Sequence, residues 1–104
     1  MIRPGISLYG VYPDASCPRV LNLRPAMKLK SEIIFHKFVK SGTPISYGSS
    51  WVSTTSAGIS TIPLGYGDGY SRKLSNCGEV LINGQRNIIV GKVCMDQFLS
   101  LIHI

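Results

Sequence analysis

The chain has 104 residues, 44% of them hydrophobic and 15% charged, which is the composition of one globular domain, or part of one, and excludes a disordered tail. Its formal charge of +6 is scattered, with small clusters only at Arg72-Lys73 and around Lys28, Lys30, Lys37 and Lys40, so it reads as a basic piece of a balanced protein before it reads as a polyanion-binding surface. No run reaches the ~18 apolar residues of a membrane helix, and Met1-Ile2-Arg3-Pro4-Gly5 is not a signal peptide. Cys17, Cys77 and Cys94 lack CxxC spacing, which argues against a disulfide framework or a metal site; the expected setting is the reducing cytoplasm, with no membrane partner.

Residues 1–12 form a short apolar segment punctuated by Gly5 and Gly10. Pro13 to Pro18 reads as a loop, and residues 20–25 as a connector ending at Pro25. Between Ala26 and Val39, Met27, Leu29, Ile33 and Phe35 alternate while Phe38 and Val39 fall out of phase, which predicts a strand with a bulge. Ser41-Gly42-Thr43-Pro44 is a turn. Ile45-Ser46-Tyr47 starts another extended stretch, continued by Trp51 to Thr55. Ile59 to Leu64 is a further strand, placed at an edge or a bulge by Pro63. Gly65 to Gly69 is a glycine-rich loop. Val80 to Val90 reads as a hairpin, because Asn83-Gly84 suits a type I′ turn. Val93 to Ile104 is apolar and largely extended. The sum is an all-β domain of about six or seven strands, preceded by a short segment of something else.

Taken singly, the motifs are weak. Gly65-Tyr66-Gly67-Asp68-Gly69-Tyr70 could cradle phosphate, but no convincing helix follows it, so its glycines better suit a tight loop presenting two tyrosines. Tyr47, beside Gly48, would ordinarily be a half-buried structural tyrosine with a hydrogen-bonded hydroxyl. Cys94 and Met95 in Val93-Cys94-Met95-Asp96-Gln97 would ordinarily fill a core strand. His36 and His103 are far apart in sequence and read as surface or edge residues.

In order and together, these segments resemble one family. Arg3-Pro4-Gly5-Ile6-Ser7-Leu8-Tyr9-Gly10, Pro25-Ala26-Met27, Ile45-Ser46-Tyr47-Gly48, Thr61 to Tyr70, Val80 to Gly84 and Val90-Gly91-Lys92-Val93-Cys94-Met95-Asp96-Gln97 look like alanine racemase over about residues 2 to 98. The resemblance implies an eight-stranded α/β barrel followed by a β domain. The fold class expected here is therefore mainly β: residues 1–23 as the end of the barrel, carrying its last strand, plus a connector, and residues 24–104 as an incomplete C-terminal β domain. It implies pyridoxal 5′-phosphate as cofactor, alanine as substrate, D-alanine for cell-wall peptidoglycan as product, and a head-to-tail homodimer in which each β domain completes the other subunit's active site.

Residue by residue, the resemblance makes Tyr47 the second catalytic base, opposite the cofactor lysine. A free tyrosine has a pKa near ~10, so its neighbours must tune it. Arg3 matches the arginine facing the pyridine nitrogen, and Gly5 and Ile6 match backbone positions on the cofactor phosphate. Met95 matches a backbone contact to the substrate carboxylate, and Tyr66 a tyrosine at the inner mouth. Arg72 and Lys92 match basic positions further out, suited to steering a carboxylate. The chain departs from the family where it lacks the lysine that forms the Schiff base, the barrel arginine for the substrate and the later phosphate-binding tyrosine. Asn87-Ile88 departs from a small residue and proline, and beyond Gln97 the sequence drifts toward an end that looks truncated or out of frame. A chain without the lysine is expected to be inactive alone. Two other readings remain: a racemase of the same fold acting on serine, lysine or a broad set, and a basic β module gripping single-stranded nucleic acid. The second expects aromatics interleaved with basic residues along strands, whereas here the tyrosines cluster beside glycines.

Overall fold

The computed structural model describes residues 1–102, and its contacts divide the chain into two units, Met1–Lys30 and the part from Ser31 onward.

The first unit contains no strand. Gly5–Tyr9 is a 3-10 turn, ended by Gly10 in the left-handed region with its N–H donating to the Ser7 carbonyl. The expected last barrel strand is not seen here: the segment closes its bonds locally, in the 3-10 turn that ends at Gly10. The chain then folds back on itself. Ala26 N–H donates to the Tyr9 carbonyl at 2.9 Å, and the Tyr12 hydroxyl bonds the backbone of Leu21. Gly10 lies so close to the Arg24 carbonyl that a Cβ there would overlap it.

The second unit is built of β1 (Phe35–Val39), β2 (Pro44–Ile45), β3 (Trp51–Val52), β4 (Ala57–Ile62), β5 (Glu79–Ile82), β6 (Gln85–Val90) and β7 (Phe98–Ile102). A five-stranded antiparallel sheet runs β1-β4-β7-β6-β5, and β2 pairs with β3 as a separate ribbon. Among the described residues there is no α-helix, and no helix is long and apolar enough to cross a membrane. Successive side chains on a strand point to opposite faces, and the register therefore builds two cores. Val39, Ile59, Leu101 and Val90 share one face with Ile45 of the ribbon. Ile62, Phe98 and Ile89 share the other, joined by Val93. Each fully buried side chain of this size contributes roughly 1.5–3 kcal/mol. The fully buried hydroxyls are satisfied: Ser60 Oγ lies 2.8 Å from His36 Nδ1, and Ser100 Oγ donates to the Ile88 carbonyl at 3.0 Å.

The hairpin forms as expected, with Asn83 (φ 51°) and Gly84 (φ 78°) both left-handed between paired Ile82 and Gln85. Other expectations shift. Residues 26–34 form no strand, though Ile34 N–H reaches the Thr61 carbonyl at 3.1 Å. Pro63 marks neither an edge nor a bulge; it follows the last residue of β4, an interior strand between β1 and β7, and so ends it. Phe98–Ile102, read from sequence as a drift toward a truncated end, is an interior strand, between β4 and β6. The extended reading of residues 93–97 gives way to a turn, closed by Cys94 N–H on the Gln97 carbonyl at 2.9 Å. The readings at His103 and Ile104 lie outside the described residues.

Candidate active site

β4 ends at Ile62, β6 at Val90, and β7 begins at Phe98, and the register brings these positions together at one end of the sheet. The loops that leave this end carry Tyr66, Arg72, Lys92 and Met95. Their hub is Gly91–Met95, the link between β6 and β7.

Gly91 has φ 77°, a conformation open to glycine, and a Cβ there would overlap the Ser46 side chain. That absence lets the Tyr47 loop approach. Ser46 Oγ donates to the Lys92 carbonyl and accepts from Lys92 N–H, each at 3.1 Å. Tyr47 follows at once, in a 3-10 turn over Tyr47–Ser49 that includes Gly48 at φ 75°. On the open side of Gly48 the nearest atom is Lys92 Nζ, which places a cation beside the tyrosine's loop. The β2 strand stops after two residues because Ser46 (φ 67°) leaves extended geometry.

The Tyr66 loop is attached further along the hub. Tyr66 N–H donates to the Cys94 carbonyl at 2.9 Å and Gly67 N–H to the Met95 carbonyl at 2.8 Å. A Cβ on Gly65 would overlap both carbonyls, so this glycine serves close approach of two backbones. Asp68 accepts from Gly65 N–H at 3.0 Å and closes the turn. The Arg72 guanidinium lies 5.1 Å from the Tyr66 ring centroid, a cation–π placement that orders the arginine. A third loop finishes the hub: Asn76 Oδ1 accepts from Gly91 N–H at 2.7 Å, and Ser75 Oγ from Val93 N–H at 2.9 Å.

Sequence and structure differ in detail. Tyr47 is 81% exposed, not half buried. Met95 and Cys94 sit in the turn, and Met95 is 61% exposed, so neither fills a core strand. Only one of the two loop tyrosines is presented. Tyr70 stacks on Phe98 at 5.0 Å, and its burial raises the phenol pKa. Tyr47, Tyr66, Arg72, Lys92 and Met95 belong to the second unit; Arg3, Gly5 and Ile6 lie in the first, exposed, with Gly5 at φ 60°. Ser46, Ser75 and Asn76 were not singled out from sequence. Asn76, at φ 58°, bears only the faint signal of a residue type that tolerates the left-handed region.

Residues 26–103 match the family model described as alanine racemase, C-terminal domain. The chain belongs to the alanine racemase family. It is similar to the alanine racemase of Carboxydothermus hydrogenoformans, 51% identical over 100 residues that cover 95% of this chain and 27% of that protein. Among solved structures, it superposes on alanine racemase from Clostridium difficile 630 in complex with cycloserine at TM-score 0.89 and 46% identity, covering 96% of this chain and 27% of that one. It also matches alanine racemase from Bartonella henselae with covalently bound pyridoxal phosphate at TM-score 0.84 and 34% identity, over 93% of this chain and 26% of that one. The chain thus spans about a quarter of the length of the racemases it matches.

Proposed function

We propose that this chain is the part of an alanine racemase that brings the second base, with residues 1–23 from the end of the barrel and 24–104 from the β domain. The observation that carries this reading is the hub: the loops of Tyr47 and Tyr66, far apart in sequence, are both hydrogen-bonded to Gly91–Met95. When bound, pyridoxal phosphate supplies the electron sink that makes an amino acid's Cα proton removable. Tyr47 takes and returns that proton on one face. A lysine outside these residues serves the other face and holds the cofactor.

The first unit fits the edge of a cofactor site. The turn at Gly5 has no acidic residue in it and no side-chain cap, so no carboxylate competes with a phosphate for the Gly5 and Ile6 N–H groups. Arg3, always protonated, would donate to the pyridine nitrogen. The Met95 backbone would meet the substrate carboxylate. Tyr66 would narrow the mouth, and Arg72 and Lys92 would draw the carboxylate inward. Alanine is the substrate proposed, in a cytoplasmic homodimer whose partner supplies the barrel face. Three free thiols suit that compartment.

The test is a chimera in which residues 1–102 replace the matching stretch of the Carboxydothermus hydrogenoformans enzyme. It should interconvert L- and D-alanine. Tyr47→Phe in it should lower kcat by about 10²–10⁴-fold, the usual contribution of a positioned acid–base group. Undiminished turnover would remove Tyr47 from the mechanism.

A further inference from the structure

We infer that Ser46 is a positioning residue for Tyr47, a clamp that holds the tyrosine's backbone in a geometry an ordinary loop would leave. The inference rests on Tyr47 being the second base.

Ser46 adopts φ 67° and ψ 175°. That region is populated essentially by glycine, and another residue there costs about 1–3 kcal/mol unless its surroundings over-determine it. Here they do. The Ser46 hydroxyl uses both of its capacities on one residue, donating to the carbonyl and accepting from the N–H of Lys92, each at 3.1 Å. Gly91 makes room for this by lacking a Cβ, since one built there would overlap Ser46 Cβ. Lys92 is followed by buried Val93, which packs in the core beside Ile89 and Phe98. The clamp therefore ties the loop to the sheet.

Tyr47 needs such a clamp. Within this chain its side chain is 81% exposed, so no packing from these residues orients it. Its direction comes from the backbone, and that backbone is unusual on both sides: Ser46 precedes it, while Gly48 at φ 75° and Ser49 at φ 50° follow. A glycine at position 46 would adopt the same angles without strain, but it would lose both hydrogen bonds and let the loop wander. Serine keeps the geometry and fixes it. Proton transfer is sensitive to this, because a misplacement of about 1 Å can cost ~10²-fold in rate.

The experiment uses the cofactor-loaded chimera and compares Ser46→Gly, Ser46→Ala and Tyr47→Phe. Each is assayed in both directions with Cα-protiated and Cα-deuterated alanine. Ser46→Gly should lower kcat by about 10–100-fold with KM changed by less than ~3-fold. Its primary isotope effect should rise only in the direction in which Tyr47 removes the proton. Ser46→Ala should behave alike; if it fails to fold, Ser46→Gly, whose backbone carries no strain, still decides. A fall in rate with unchanged isotope effects in both directions would mean that Ser46 is merely structural and would overturn the inference. So would Ser46 variants that keep wild-type kcat while Tyr47→Phe is inactive, an outcome that leaves the base assignment standing. Full activity in Tyr47→Phe would overturn both.

Discussion

At the scale of single residues, the hub depends on what Gly91 lacks. Any side chain at this position meets φ 77° and the Ser46 Cβ together. Gly91→Ala should destabilise the fold by about 2–4 kcal/mol, more than an isolated left-handed alanine would, because overlap adds to backbone strain. A thermal melt of the chimera reads this directly, and an unchanged Tm would show that the Ser46 contact does not exist in solution. Tyr70 offers a second reading. Its burial against Phe98 raises its pKa, so the folded state holds the phenol proton more tightly than the unfolded chain. The associated stability is complete below the unfolded pKa near ~10 and declines as pH rises toward and through the folded value. Denaturant titrations between pH 9 and 11 should show a loss in the parent that Tyr70→Phe reduces; equal losses in both would contradict it.

At the scale of elements, β7 carries the most consequence. The drift expected after Gln97 is overturned, since the family match runs over residues 26–103, and Phe98 and Leu101 supply one buried side chain to each of the two cores. Phe98→Ala should cost about 3–5 kcal/mol and free Tyr70, visible as a phenol titration that moves down toward its ordinary range. What could be read in advance follows from the same contrast. The Asn83-Gly84 hairpin was legible because two adjacent positive φ values demand those residue types locally. The interior place of β4 was not, because Pro63 looks the same one residue inside a strand as one residue past its end. The first unit shows a similar limit: Ile6, Leu8 and Tyr9 have strand composition, but the segment turns instead and ends at Gly10 in the left-handed region. Of the candidate site, the tyrosines and basic residues were legible through the resemblance. The hub that joins them was not, since its bonds run between residues as far apart as Ser46 and Lys92.

At the scale of the whole molecule, the chain exposes several large apolar side chains. Phe35, Phe38, Leu81, Ile88 and Met95 are all exposed, and exposed apolar surface favours association. The 104-residue chain alone should aggregate or sediment as a mixture, and should show no alanine racemisation. A monodisperse monomer with a cooperative melt would contradict the first expectation, and measurable interconversion the second.

The central claim, that this segment brings a catalytic tyrosine to an alanine racemase, meets its most direct test in the turnover of the chimera with and without Tyr47→Phe. The chimera should racemise alanine, and the variant should lose about 10²–10⁴-fold in kcat with its fold and cofactor content unchanged. A variant within tenfold of its parent would contradict it.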